Sequence, residues 1–126
     1  MYRTFILLKP DCVWRNLSCQ ILGCFEFGFR IDEIKMFTMT DDQASRLYEK
    51  FADKDFFQSL KDYMTSGRSI AAVLTSRSES RIVEIVRGAA LSLRIMHQLD
   101  FRRNTIHSSD SPEAAEREIR IFFGDT

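Results

Sequence analysis

Glycine and proline are scarce in this 126-residue sequence, with five and two copies respectively, which argues against disordered or low-complexity segments. Neither sign of charge is in excess, because 18 Lys and Arg balance 18 Asp and Glu. We therefore expect no binding of nucleic acid or anionic membrane through bulk charge, and any anion site must be local.

Long apolar runs and paired cysteines are also missing. The longest apolar run near the N-terminus, Phe5–Leu8, is too short for a signal-peptide core or a membrane span. The sequence has three cysteines, an odd number, and the spacing of Cys12, Cys19 and Cys24 is not that of zinc or redox motifs. These absences predict a cytoplasmic protein with free thiols, folded as a single domain over residues 1–126.

Four apolar segments have the pattern of strands. Continuous apolar runs favour strands that are covered on both faces, and a change of alternation at Asp32-Glu33 indicates a β-bulge. The predicted strands are Arg3–Leu8, Phe29–Met39, Ile70–Leu74 and a short edge or end strand at Thr105–Ile106.

Helix signals occupy the intervals between these strands, except in residues 89–104, which have no clear pattern. Thr40 begins a capping box, and Ser111-Pro112 is an N-cap followed by proline at the first helical position. The predicted helices are residues 17–27, the segment after Thr40, the segment before Ser66-Gly67, the segment from Ser78 to Gly88, and Ser111 to Phe123. Their apolar spacing predicts that Cys24 in the first of them and Ile85 in the fourth face the core. The order of elements predicts an α+β sandwich of the ferredoxin-like, split βαβ kind, an antiparallel sheet covered by helices.

Phosphate binding in this chain would depend on side chains, because the sequence has neither a P-loop nor a dinucleotide fingerprint. His107 lies in a polar cluster before a helix N-terminus, a position where anions bind. Glu118 borders the apolar stripe of that helix and would need a hydrogen-bond donor. If His107 is that donor, its other ring nitrogen becomes an oriented nucleophile. A surface-loop histidine beside helix-capping serines is the alternative interpretation.

Two motifs make the sequence resemble the nucleoside diphosphate kinases along nearly its whole length. Lys9-Pro10-Asp11 after the opening strand matches the family's Lys-Pro-Asp motif, and Asn104 to Ser111 matches its signature N-x-x-H-x-S-D-S. The resemblance implies a ping-pong kinase that takes the γ-phosphoryl group of a nucleoside triphosphate onto a histidine and hands it to a nucleoside diphosphate. It also implies Mg²⁺ carried on the nucleotide phosphates, a homo-oligomer, and no membrane or stable nucleic-acid partner.

The same resemblance implies a role for each matching residue. The implied catalytic residues are His107 as nucleophile, Glu118 as its orienting carboxylate, Ser109 as a hydrogen-bonding neighbour, Tyr48 beside the histidine, and Lys9. The implied nucleotide-binding residues are Lys9 and Arg94 on the phosphates, Asn104 on the sugar hydroxyl and Phe57 on the base. Core packing is the alternative for the two aromatic residues, and a surface charge is the alternative for Lys9 and Arg94.

The match fails between Gly88 and Arg94, where the chain is several residues shorter than the nucleotide-facing loop of the family. A phosphate-contacting threonine has no counterpart there, and the helix arginine of the family aligns with Glu84. We expect Arg87, one turn further along nearly the same face, to replace it, with Arg81 as the less favoured substitute. Loop and C-terminal extension assist assembly in the family, and both are reduced here, so the size of the oligomer stays open.

An active nucleoside diphosphate kinase best explains the joint presence of nucleophile, carboxylate, lysine and asparagine. The shortened loop motivates a second hypothesis, a weakened relative that binds nucleotide or a protein partner without turnover. A third, an RNA-binding module, would need aromatic residues on the sheet surface and a basic face. The neutral charge and the apolar strand Ile70–Leu74 count against that third function.

Overall fold

The computed structural model describes residues 1–100 and 103–124. These residues form a four-stranded antiparallel sheet in the order β2-β3-β1-β4. The strands are β1 (Tyr2–Leu8), β2 (Arg30–Thr38), β3 (Arg68–Ser76) and β4 (Ile106–Ser108). The helices are α1 (Pro10–Trp14), α2 (Ser18–Glu26), α3 (Asp41–Leu47), α4 (Phe57–Met64), α5 (Ile82–His97) and α6 (Pro112–Phe123), with a 3₁₀ turn at Glu49–Phe51. This order confirms the predicted ferredoxin-like fold.

The two central strands are the two most continuous apolar runs of the sequence, β1 and β3. Alternate residues of β1 enter different cores: Ile6 and Leu8 pack beneath α2 and α5, while Phe5 and Leu7 pack beneath α3, α4 and α6. A strand that is buried on both faces carries apolar residues at successive positions, which explains why the sequence of β1 is continuously apolar and does not alternate with polar residues. The lateral strand β2 alternates instead, and its register shifts between Ile31 and Glu33, so the predicted bulge is confirmed.

The largest difference between the prediction and the structure is the length of helix α5. Gly88 does not end it: the helix runs from Ile82 to His97 through the segment that had no clear pattern. Buried Val86, Ala90 and Leu93 continue at i, i+4 and i+7 past the glycine, and their burial outweighs the roughly 1 kcal/mol that a helical glycine costs.

The beginning of α5 also differs from the prediction. Ser78 does not open the helix, because its backbone N–H donates to Ser76 Oγ and the N-cap is Arg81. Ile85, predicted to face inward, is 42% exposed. The helix therefore begins three residues later than predicted, and this changes which residues of the segment face the sheet.

The segment after β1 contains a short helix that the sequence analysis did not predict, α1, with Pro10 at its first position. The next helix, α2, begins at Ser18, and Cys24 on it is exposed instead of core-facing. All three cysteines are free, as predicted, and Cys12 is the buried one. None of the described helices combines the length and apolarity that a membrane crossing requires.

Candidate active site

A cavity of about 560 Å³ opens between α5, the start of α6 and the α3–α4 hairpin. Most of the side chains that were predicted to form the site line it. They are Lys9, Tyr48, Arg87, Arg94, Asn104, His107 and Glu118. The fold therefore brings together residues of α5, β4 and α6 with residues that directly follow β1 and α3, and they are up to 109 positions apart in the sequence.

The register of β4 directs His107 towards Glu118. His107 pairs with Leu7 across the ladder, so both side chains point to the face that α6 covers. On α6, Glu118 stands in the buried stripe with Ala115 and Ile119, and only 5% of the residue is exposed. Strand register and helix periodicity thus place a carboxylate below the histidine.

Glu118 holds the imidazole in one tautomer. Its Oε1 lies 2.8 Å from Nε2 of His107 and accepts a second hydrogen bond, at 2.7 Å, from Oγ of Ser109. An ionised carboxylate only accepts hydrogen bonds, so Nε2 carries the proton and Nδ1 keeps its lone pair. In the described part of the chain Nδ1 has no hydrogen-bond partner, and the ring lines the cavity.

Tyr48 forms the wall beside the histidine. It follows α3 and is buried, and its ring meets that of His107 edge-on, with centroids 6.3 Å apart. Burial raises the pKa of the Tyr48 hydroxyl above its ordinary value, so the group stays protonated. A protonated phenol can donate a hydrogen bond but adds no negative charge to the cavity.

Cationic side chains occupy the side of the cavity that α5 and the end of β1 form. Lys9 is only 4% exposed, and burial, together with the nearby charge of Arg94, lowers its pKa to about 7. Burial also lowers the pKa of the Arg94 guanidinium, and Arg87 acts in the same direction. These groups repel one another in the absence of an anion, so a polyphosphate would relieve their mutual repulsion.

Helix α5 supplies a continuous stripe to this wall. Arg87, Leu91 and Arg94 follow at i, i+4 and i+7 and all line the cavity. Arg94 is also fixed from below, because its Nε donates to the carbonyl of Ile106 in β4 at 2.7 Å. Arg81 lies elsewhere: it is exposed and paired with Glu84 at 2.9 Å.

A family model described as "Nucleoside diphosphate kinase" matches residues 2–126. The chain belongs to the nucleoside diphosphate kinase family. A curated nucleoside diphosphate kinase of Archaeoglobus fulgidus is 38% identical, with 99% of this chain and 88% of that protein covered. That of Methanothermobacter thermautotrophicus is 37% identical, with 100% of this chain and 89% of that protein covered.

Solved structures of nucleoside diphosphate kinases have the same fold. The Aquifex aeolicus enzyme superposes with a TM-score of 0.80 at 35% identity, covering 97% of this chain and 94% of the other. The Encephalitozoon cuniculi enzyme in its apo cubic form gives a TM-score of 0.85 at 29% identity, covering 99% and 90%. Family membership, predicted from the two motifs, is thereby confirmed.

Two residues predicted for the nucleoside diphosphate kinase site do not line the cavity. Ser109 is buried and donates a hydrogen bond to Glu118. Phe57, the first residue of α4, packs against the core, and Lys61 Nζ lies 5.0 Å from its ring centroid. The neighbouring Phe56 lines the cavity instead, with Phe51, whose ring centroid is 5.3 Å away. The Phe56-Phe57 pair was visible in the sequence, but the start of α4 decides which ring faces the cavity.

Three further residues that line the cavity, Leu91, Lys50 and Asp110, were not predicted from the sequence. Leu91 was hidden by the expected helix end at Gly88. Asp110 belongs to the quoted signature, so its place near the histidine was available from the motif. Lys50 carried no signal in a single sequence, because an exposed lysine two residues after Tyr48 is ordinary.

Proposed function

We propose that this chain transfers the γ-phosphoryl group of a nucleoside triphosphate to a nucleoside diphosphate through a phosphohistidine at His107. The observation that carries the proposal is the 2.8 Å contact of Nε2 with Glu118, which leaves Nδ1 with its lone pair on the cavity side. A nucleophile that is oriented by a hydrogen-bonded carboxylate is the arrangement that covalent catalysis requires.

The first half-reaction forms the bond between Nδ1 and the γ-phosphorus. The bond from that phosphorus to the β–γ bridging oxygen breaks, and its electron pair leaves with the nucleoside diphosphate. The imidazole gains positive character, which the carboxylate of Glu118 stabilises through the proton on Nε2. Transfer from the phosphohistidine to a second nucleoside diphosphate runs the same steps backwards and restores the free ring.

Side chains around the cavity position the phosphates. We assign Lys9, Arg87 and Arg94 to the phosphate oxygens, because a loose phosphoryl-transfer transition state requires positioning and positive charge. Asn104 is assigned to the sugar hydroxyl and Phe56, in place of Phe57, to the base. Ser109 and Tyr48 act as positioning residues around the Glu118–His107 pair.

Mg²⁺ enters this reaction with its substrate, as the magnesium–nucleotide complex. Among the described residues no group of three or more His, Cys, Asp or Glu is placed to hold a metal ion. Two of the carboxylates at the cavity are already engaged: Glu118 with His107, and Asp110 with Lys50. We expect a chelator to stop phosphorylation by ATP while leaving the thermal unfolding midpoint unchanged.

Incubation with γ-labelled ATP tests the proposal. The wild-type chain should form an acid-labile, alkali-stable phosphoprotein that GDP discharges to labelled GTP. His107→Ala should abolish the label, and His97→Ala, which removes the second of the two histidines, should retain it. Absence of label on the wild type would favour the weakened relative that binds nucleotide without turnover.

The homo-oligomer and the cytoplasmic location stay predictions, as does the single domain. Light scattering of the purified chain measures the first, and a tagged chain imaged in its own cell measures the second.

A further inference from the structure

Two more basic side chains line the cavity besides Lys9, Arg87 and Arg94: Arg117, which is paired with Glu49, and Lys50. Lys50 lies in the 3₁₀ turn that follows Tyr48, and its Nζ is 3.3 Å from Oδ2 of Asp110. Both residues line the cavity. Asp110 is three residues beyond His107, so this ion pair links the 3₁₀ turn to the segment that carries the proposed nucleophile.

The partner of Lys50 is shared with another cation. Burial acts to raise the pKa of Asp110, but the hydrogen bond and charge of Lys50 and the charge of Arg87 together hold it below its ordinary value. The Asp110 carboxylate is therefore attracted to Lys50 on the 3₁₀ turn and also to Arg87 on α5, which lines the same cavity. In the absence of an anion, one carboxylate balances two basic groups.

This ion pair can be exchanged at little cost. The side chains of Lys50 and Asp110 are 64% and 42% exposed, and ion pairs at such exposed positions contribute little to stability. A polyphosphate carries more negative charge than a carboxylate and presents several acceptor oxygens at once. An ammonium on a long flexible stem can follow the stronger anion, whereas the short carboxylate side chain of Asp110 stays close to the backbone just before Ser111, the N-cap of α6.

We propose that Lys50 is a further phosphate-binding residue of this chain, and that it leaves Asp110 for the nucleotide phosphates when a nucleotide binds. The inference rests on the proposed function, since it assigns another contact to the same substrate. It predicts opposite effects for the two partners of the pair. Loss of Lys50 removes a phosphate contact, while loss of the Asp110 charge removes its competitor.

Affinity for ADP, measured by calorimetry on the unphosphorylated chain, tests this difference. Lys50→Met should weaken ADP binding about tenfold, as expected for one charged contact at a partly exposed site, and Lys50→Arg should restore most of it. Asp110→Asn should bind ADP at least as tightly as the wild type. Lys54→Met is the matched control, because Lys54 is an exposed lysine four residues further on that does not line the cavity.

Three results would overturn the proposal. Unchanged ADP affinity of Lys50→Met would mean that the ammonium contacts no phosphate. Equal weakening by Lys50→Met and Asp110→Asn would make the pair a structural link between the 3₁₀ turn and α6. If Lys50→Met weakened the binding of adenosine, measured by competition with ADP, as much as it weakened the binding of ADP, Lys50 would contact the nucleoside instead of a phosphate. The γ-ATP labelling of the wild type decides the proposed function separately, because ADP binding requires no turnover.

Discussion

The hydroxyl of Tyr63 donates a hydrogen bond to Oδ1 of Asp11 at 2.5 Å and accepts one from the backbone N–H of the same residue at 2.8 Å. The N–H of Thr105, a residue with a φ of 80°, lies 3.4 Å from that Oδ1, and the carbonyl of Thr105 accepts from the N–H of Lys9 at 2.9 Å. This network connects the two segments that carry Lys9 and Asn104 and supports the left-handed conformation between Asn104 and β4.

Tyr63→Phe tests the network. Removal of the hydroxyl leaves the fully buried Asp11 with fewer partners, so we expect a loss of about 1–3 kcal/mol in the free energy of unfolding. Phosphorylation should slow as well, because Lys9 and Asn104 lose their fixed separation. Urea unfolding and γ-ATP labelling measure the two effects. Tyr2→Phe, on an exposed strand end, is the control, and equal behaviour of the two variants would contradict the prediction.

Glu118→Gln should fold but slow phosphorylation about ten- to a hundredfold, the range typical of a partner that orients a reactive group. The amide can still accept from the imidazole, but it lacks the charge that stabilises the ring as the bond to phosphorus forms. Rapid-quench labelling measures the rate. Glu113→Gln, an exposed substitution on the same helix, should leave it unchanged. A normal rate in Glu118→Gln would make the carboxylate a structural acceptor only.

Adjacent phenylalanines should respond differently to truncation. Phe56→Ala should raise KM for nucleoside diphosphates about tenfold, because base stacking on an aromatic ring contributes roughly 1–3 kcal/mol. Phe57→Ala should instead lower the free energy of unfolding and leave KM within a few-fold, since its ring packs against the core. Steady-state kinetics and urea unfolding on both variants check the pair. A raised KM in Phe57→Ala together with an unchanged KM in Phe56→Ala would mean that the base stacks on Phe57.

Lys9 makes nucleotide binding dependent on pH. Because its pKa is about 7, the Lys9 side chain of the free site is largely uncharged at pH 8, whereas a bound phosphate favours the charged ammonium. Binding must then take up a proton, and ADP affinity should fall as the pH rises above 7. Calorimetry in buffers of different ionisation enthalpy measures the uptake. Lys9→Met should abolish it, and equal uptake in that variant would assign the proton to another group.

Arginine substitution on α5 decides which residue replaces the arginine that the family places there. Arg87→Ala should lower kcat/KM about ten- to a hundredfold, the loss of one charged contact at roughly 1.5–3 kcal/mol. Arg81→Ala should change it little, because that side chain points away from the cavity and pairs with Glu84. If Arg87→Ala and Arg81→Ala lowered kcat/KM equally, Arg87 would not be the specific replacement, and the phosphate contact would come from another residue.

Local signals predicted the parts of this molecule that local interactions determine. The Thr40 capping box forms with both of its hydrogen bonds, and Ser111 caps α6 through the N–H of Ala114. Gly88 was misinterpreted because its cost to the helix is local, whereas the burial of Ala90 and Leu93 that outweighs it is a tertiary effect.

Residues of the site could be predicted where a sequence motif contains them, but not where only the three-dimensional fold brings them to the cavity. His107 and Asn104 were located by the spacing of the signature, and Glu118 by its place in an apolar stripe. Phe56 and Phe57 differ by one position, which is about 100° around a helix, so an uncertain helix start exchanges their surroundings. No pattern along the chain could report that Lys50 meets Asp110 across 60 positions.

A wall made of one uninterrupted helix has little freedom to change length. Arg87, Leu91 and Arg94 share a face only while the count between them is kept, and one inserted residue would turn the distal part by about 100° and carry Arg94 away from Ile106. This wall should therefore tolerate the replacement of a side chain, above all at the partly exposed Leu91, far better than a change in the number of residues.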